Sequence, residues 1–78
     1  MTFKQAYTIA MKRSNKFREF DALVKAKKPN DQHTPCLFFT VDGENVFYYG
    51  FDGVEVQKGK HSARRAQQLM NSNCLIIL

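Results

Sequence analysis

The sequence predicts a single α+β domain over residues 1–78: an N-terminal helix or helix pair, a three-stranded antiparallel β-meander, a short helix, and a C-terminal strand joining the sheet. Three observations carry this. Apolar side chains recur at helical spacing from Phe3 to Ser14. Two Asp-Gly pairs, Asp42-Gly43 and Asp52-Gly53, stand between apolar runs, which is a strong hairpin signal. The chain closes on Cys74-Leu75-Ile76-Ile77-Leu78, a continuous apolar run of the kind that forms a strand covered on both faces, and so an interior one.

The first helix is expected over residues 3–14. Thr2 can cap it, and Gln5 stands where the partner of a capping box belongs. Phe3, Ala6, Tyr7, Ala10 and Met11 form its apolar stripe, and Ile9 falls off it. The next segment, residues 17–28, supports two readings. Phe17, Phe20 and Val24 continue a helical stripe, whereas Phe20, Ala22, Val24 and Ala26 alternate as a strand would. Its Ala, Glu, Leu and Lys content favours helix. One unbroken helix over 3–27 would be about 37 Å long, longer than a domain of this size accommodates. A break near Ser14-Asn15 is therefore expected.

Residues 28–35 read as a loop, with two prolines and Asn-Asp turn chemistry. Strands are expected at 36–41, 46–51 and 54–57. Residues 58–61, Lys-Gly-Lys-His, read as a basic link. Ser62 then caps a short helix with Ala63, Ala66, Leu69 and Met70 on one stripe, and Asn71-Ser72-Asn73 ends it. The final strand is expected beside the first or third strand.

Turn geometry assigns the faces of the sheet. A two-residue loop at Gly43-Glu44 sets Phe39 opposite Tyr48, and one at Asp52-Gly53 sets Tyr49 opposite Val56. Phe38, Thr40, Phe47, Tyr49, Phe51, Val54 and Val56 then form the core face. Leu37, Phe39, Val41, Val46, Tyr48 and Gly50 form a second face that is aromatic at its centre. A three-residue first loop would exchange the two faces on strand 36–41 only. The second face is covered either by residues 3–28 or by a partner.

Twelve Lys and Arg against seven Asp and Glu leave a net charge of +5, which favours acidic partners: nucleic acid or an acidic protein surface. Two cysteines and two scattered histidines do not make a zinc spacing. Cys36 and Cys74 read as small buried hydrophobes in a reduced, cytoplasmic compartment. No run approaches a membrane span, so no membrane partner is expected. No nucleophile–base pair and no phosphate-cradling glycine loop stands out, which predicts a non-enzymatic protein without cofactors.

The candidate binding residues are Lys58, Lys60, His61, Arg64 and Arg65 around the start of the last helix, Phe39 and Tyr48 on the second sheet face, and Lys12 and Arg13 at the end of the first helix. Cations at a helix start oppose its dipole, so they read as an anion site, whereas those at the end of the first helix suit the dipole. Aromatics on a sheet amid Lys and Arg fit single-stranded nucleic acid, which binds by stacking and backbone charge. The leading expectation is a small module binding nucleic acid or a nucleic-acid-containing complex. The alternative is a protein–protein inhibitor or adaptor of the kind phages and mobile elements carry, with homodimerisation through the open sheet face as a further use of it.

Overall fold

The computed structural model describes residues 1–28, 36–72 and 75–78. The chain folds as α1 (Phe3–Arg13), α2 (Asn15–Lys25), β1 (Cys36–Thr40), β2 (Phe47–Phe51), β3 (Val56–Lys60), α3 (Ala63–Met70) and β4 (Ile76–Ile77). Residues 29–35 of the expected 28–35 loop and the expected strand position of Cys74 lie outside the described residues. No helix among the described residues is long and apolar enough to cross a membrane.

The capping box forms as expected: the Thr2 hydroxyl accepts from the Gln5 N–H at 3.2 Å, and the Gln5 side chain accepts from the Thr2 N–H at 2.9 Å. Ser14 makes the break. Its backbone leaves the helical region (φ −130°, ψ 119°), and its hydroxyl caps α2 by accepting from the Phe17 N–H at 3.1 Å. Arg18 donates to the carbonyls of Met11 and Lys12, meeting acceptors that the end of α1 leaves free. Two helices of about 16 Å each fit a molecule whose longest extent is 30 Å.

The segment with two readings is helix. Phe17, Asp21 and Val24 are buried on one face, while Ala22 and Ala26 of the alternating pattern are exposed. The helix closes with two bonds, from the Lys28 N–H to the Leu23 carbonyl and from the Lys27 N–H to the Val24 carbonyl, both 3.0 Å. This closure ordinarily recruits glycine at the left-handed position; here Lys27 occupies it with φ 54°.

The sheet order is β3-β2-β1-β4, antiparallel except for β4, which runs parallel to β1. β4 lies beside the first strand as one of the two expected placements, but at the sheet edge rather than inside. It contributes two pairs, Phe39 with Ile76 and Thr40 with Ile77, and these isoleucines are 41% and 75% exposed. The apolar run is used at its flanks instead: Leu75 packs against α3, and Leu78 packs into the core beneath α1 and α2.

Both Asp-Gly turns form, but neither is a two-residue loop. Asp42 Oδ1 accepts from the N–H groups of Glu44 and Asn45, each at 2.8 Å, and Thr40 Oγ1 accepts from the Gly43 N–H at 3.0 Å. Asp52 Oδ1 repeats the device with Val54 (2.8 Å) and Glu55 (2.9 Å). In each turn the following glycine is left-handed, at φ 79° and 96°. The backbone hydrogen bonds from Glu44 and Asn45 hold the Asp42 carboxyl far below the usual carboxylate range. Those from Glu55 and Val54 lower that of Asp52.

These longer turns change the register. Phe39 lies opposite Phe47 and Phe38 opposite Tyr48, so the first loop has odd length and the faces of β1 are exchanged. The second turn is lengthened by two residues, which keeps the faces and sets Phe51 opposite Val56 and Tyr49 opposite Lys58. β3 accordingly begins at Val56 and includes Lys58 and Lys60, which were expected in a link. Val54, expected in the core, sits in the turn and is 85% exposed.

Each face of the sheet has its own core. On one, Phe39, Phe47 and Tyr49 meet Ala6 and Ala10 of α1 and Phe17 and Val24 of α2. Ring centroids are 4.9 Å apart for Phe17–Phe39 and 5.6 Å for Tyr7–Tyr49. On the other, Val46 and Phe38 meet Ala66, Leu69 and Met70 of α3. The second face is therefore covered at one end by α3, not by residues 3–28.

One carboxylate lies within the larger core. Asp21 is buried, and its Oδ1 accepts from the Tyr7 hydroxyl at 2.7 Å and the Tyr49 hydroxyl at 2.6 Å. Lys25 Nζ approaches Oδ2 at 3.1 Å from an exposed position. Burial alone would raise the Asp21 pKa; the hydrogen bonds from Tyr49, Tyr7 and Lys25 outweigh it and lower it. Burial, then the bond to Asp21, pushes the Tyr49 phenol far above its usual value.

Asp21→Ala strands the buried Tyr49 hydroxyl and is expected to cost about 3 kcal/mol. Asp21→Asn retains an acceptor oxygen and should cost about half as much. Urea unfolding of the two variants checks the ordering. Lys27→Gly relieves the left-handed lysine and should raise stability by about 0.5–1 kcal/mol, read as a higher urea midpoint at unchanged slope.

Candidate nucleic-acid interface

The structure divides the residues singled out by the sequence. Lys58 and Lys60 are exposed on β3, an edge strand, opposite Tyr49 and Phe47 and hence on the side of the sheet that carries α1 and α2. His61 follows on the opposite side. Its N–H donates to the Val46 carbonyl at 2.9 Å, and its ring lies 4.9 Å from that of Tyr48 and 5.2 Å from that of Phe38. Arg64 and Arg65 occupy the first turn of α3, exposed, with Ser62 as its cap through a 3.2 Å bond from the Arg65 N–H. Arg65 also donates to Gln68 Oε1 at 3.2 Å.

Lys12 and Arg13 lie elsewhere. Arg13 reaches the carbonyls of Val41 (3.3 Å) and Leu78 (3.4 Å), tying the end of α1 to the β1–β4 side of the sheet. Phe39 leaves the candidate set: the exchanged faces of β1 put it at zero exposure beneath the helices. Phe38 takes its place opposite Tyr48. The Tyr48 ring does not stand free either. A Cβ at Gly59, its cross-strand partner, would fall 2.5 Å from Tyr48 Oη and 2.7 Å from Cζ, so the phenol end lies over that glycine. Tyr48, His61 and Phe38 form a half-buried aromatic strip beside the arginines of α3.

Burial, and then the neighbouring Arg65 charge, lowers the His61 pKa below its ordinary 6.5. Its Nε2 is buried without a hydrogen-bond partner, which again disfavours the charged ring. Cys36, half-buried at the start of β1, has a thiol raised by burial and by Asp52.

Two surface features escaped the sequence reading. The first is a cleft of about 330 Å³ between α1, α2 and β3, lined by Phe3, Lys4, Tyr7, Lys25, Tyr49, Val56 and Lys58. Its three lysines come from three elements far apart in the chain, so no local pattern announced them. The second is an apolar groove of about 480 Å³ between α2 and the β4 side of the sheet, lined by Phe17, Phe20, Leu23, Leu37, Ile76 and Leu78, with Ser14, Lys16 and Glu19 alongside. Among the described residues Lys25–Asp21 is the single ion pair, so the remaining basic side chains carry their charge without a salt-bridge partner.

Fold and surface together define a small α+β domain with helices on both faces of a four-stranded sheet and a basic edge strand. Compared with protein-family models, with curated proteins and with solved structures, the chain matches none.

A histidine whose folded pKa is depressed is neutral in both states well above pH 6.5 and binds its proton first in the unfolded chain as pH falls. Stability is therefore expected to drop from pH 7.5 towards 5.5. His61→Phe should flatten that slope, measured by urea unfolding at stepped pH; an unchanged slope would show that His61 does not carry it.

Proposed function

We propose that this domain binds nucleic acid, alone or within a larger complex, through β3 and the start of α3. The observation that carries the reading is a run of exposed cations, Lys58 and Lys60 on the edge strand and Arg64 and Arg65 in the first turn of α3, which stand on different sides of the sheet and make no ion pair among the described residues. Such residues contact phosphates, and the release of counterions they imply supplies affinity. The Tyr48–His61 ring pair beside the arginines offers an edge for a base to pack on, and the half-buried Phe38 supports it from behind. The arrangement supports backbone recognition more than a broad stacking platform, because Phe39 is enclosed.

The apolar groove favours a second reading, a protein–protein inhibitor or adaptor. Leu23 and Ile76, both partly exposed, line it, and Ile77 is exposed beside it. A partner side chain or helix seated there would leave the β3 end free.

Arg64→Glu with Arg65→Glu tests the first reading without confusing it with misfolding. Glutamates in the first turn suit the helix dipole, and Glu at position 65 completes a capping box with Ser62, so α3 should be slightly stabilised. Affinity for a single-stranded oligonucleotide, read by fluorescence anisotropy, should fall about tenfold or more, and the dependence of log affinity on log salt should become shallower by about two charges. Wild-type affinity that is flat with salt overturns the reading. Leu23→Glu should leave oligonucleotide affinity unchanged and is the variant that would weaken a protein complex formed through the groove.

A further inference from the structure

We infer that the cleft between α1, α2 and β3 receives the terminal phosphate of a nucleic-acid strand. The inference rests on the nucleic-acid reading and names which part of the ligand goes where. Charge is the first argument. Lys4, Lys25 and Lys58 line the cleft, and Lys25 is paired with Asp21, which is also held by the two tyrosine hydroxyls. Among the described residues that leaves two lysines of the cleft, Lys4 and Lys58, outside any ion pair. A phosphodiester within a strand carries one negative charge, whereas a terminal phosphate monoester carries close to two near neutral pH. The cleft matches the end of a strand.

Position is the second argument. Phe3 and Lys4 form the first turn of α1, whose positive dipole end thus lies at the cleft, and no acidic residue stands in that turn to oppose an incoming anion. Lys58 stands on β3, the edge strand that also bears Lys60. A strand that runs along this edge past Lys60 would end at the cleft.

The third argument is the lining. Phe3, Tyr7 and Tyr49 have ring centroids 5.6–6.0 Å apart and form an aromatic wall, with Lys25 Nζ 5.9 Å from the Tyr7 centroid. Phe3 and Tyr7 are half-buried and offer the exposed part of that wall. A terminal nucleoside can lay its base or sugar against them while the phosphate meets Lys4 and Lys58. The volume, about 330 Å³, lies at the lower end of the range of small-molecule sites.

Fluorescence anisotropy at fixed ionic strength tests this with three 3′-labelled single strands of one sequence. The first bears a 5′-phosphate, the second a 5′-hydroxyl, and the third is the hydroxyl strand lengthened by one nucleotide, which adds a charge but no terminal phosphate. The full chain should bind the phosphorylated strand about tenfold more tightly than both others. Lys4→Ala with Lys58→Ala should erase that preference, and both positions are exposed, so the fold should persist by circular dichroism. Arg64→Glu with Arg65→Glu should lower affinity for all three strands and keep the preference. Equal affinity for the phosphorylated and lengthened strands overturns the inference while the nucleic-acid reading stands. Absence of binding to any strand at low salt overturns both.

Discussion

The fold depends most on a single buried carboxylate. Asp21 lies on α2, Tyr7 on α1 and Tyr49 on β2, so two hydrogen bonds to one oxygen join three elements at the centre of the aromatic core. An ionised group in such a place is stabilising only while every partner is present, because the desolvation it suffers exceeds what any one bond returns. That condition fixes how the helix pair sits on the sheet. A slide of either helix by one residue would leave a charge or a hydroxyl unpaired, whereas an all-aliphatic interface would tolerate the shift. The rings of Phe3, Phe17, Phe39 and Phe47 pack together in this core, and the Asp21 node selects one arrangement among those that would bury them.

Much of the architecture could be read from local chemistry. Thr2 and Gln5, Ser14, Ser62 and the two Asp-Gly pairs each act on the residues next to them, and each appears in the structure where the sequence placed it. What could not be read was turn length. Asp-Gly announces a turn, but the aspartate side chain collects the N–H groups two and three residues onward and so lengthens it. One extra residue in the first turn was enough to send Phe39 to the core and Phe38 to the other side. Likewise the five-residue apolar run at the end resembles an interior strand because its flanking leucines serve two different cores.

The candidate site was legible only where it is continuous in sequence. Lys58, Lys60, Arg64 and Arg65 are neighbours along the chain and all exposed, although β3 and α3 present them on different sides of the sheet. Lys12 and Arg13 share their charge but not their place. The lysine cleft depends on α1, α2 and β3 converging, and it follows from tertiary packing rather than from any motif. Asp21 did leave a trace in the sequence: it stands four residues after Phe17 and three before Val24, on a stripe otherwise apolar. A charged residue on such a stripe requires partners, and two tyrosines were available to supply them.

The contact of Tyr48 with Gly59 limits how this protein can vary. A side chain at position 59 would have to displace the phenol end of Tyr48, the nearest atoms it would meet. A substitution at Gly59 is therefore best accommodated when position 48 also becomes smaller. A relative that keeps this pairing of β2 and β3 is expected to favour a glycine opposite a bulky aromatic and to tolerate a larger residue opposite a small one. Size at one of these positions thus sets what the other holds most easily, a constraint that acts across the β2–β3 pairing rather than along the chain.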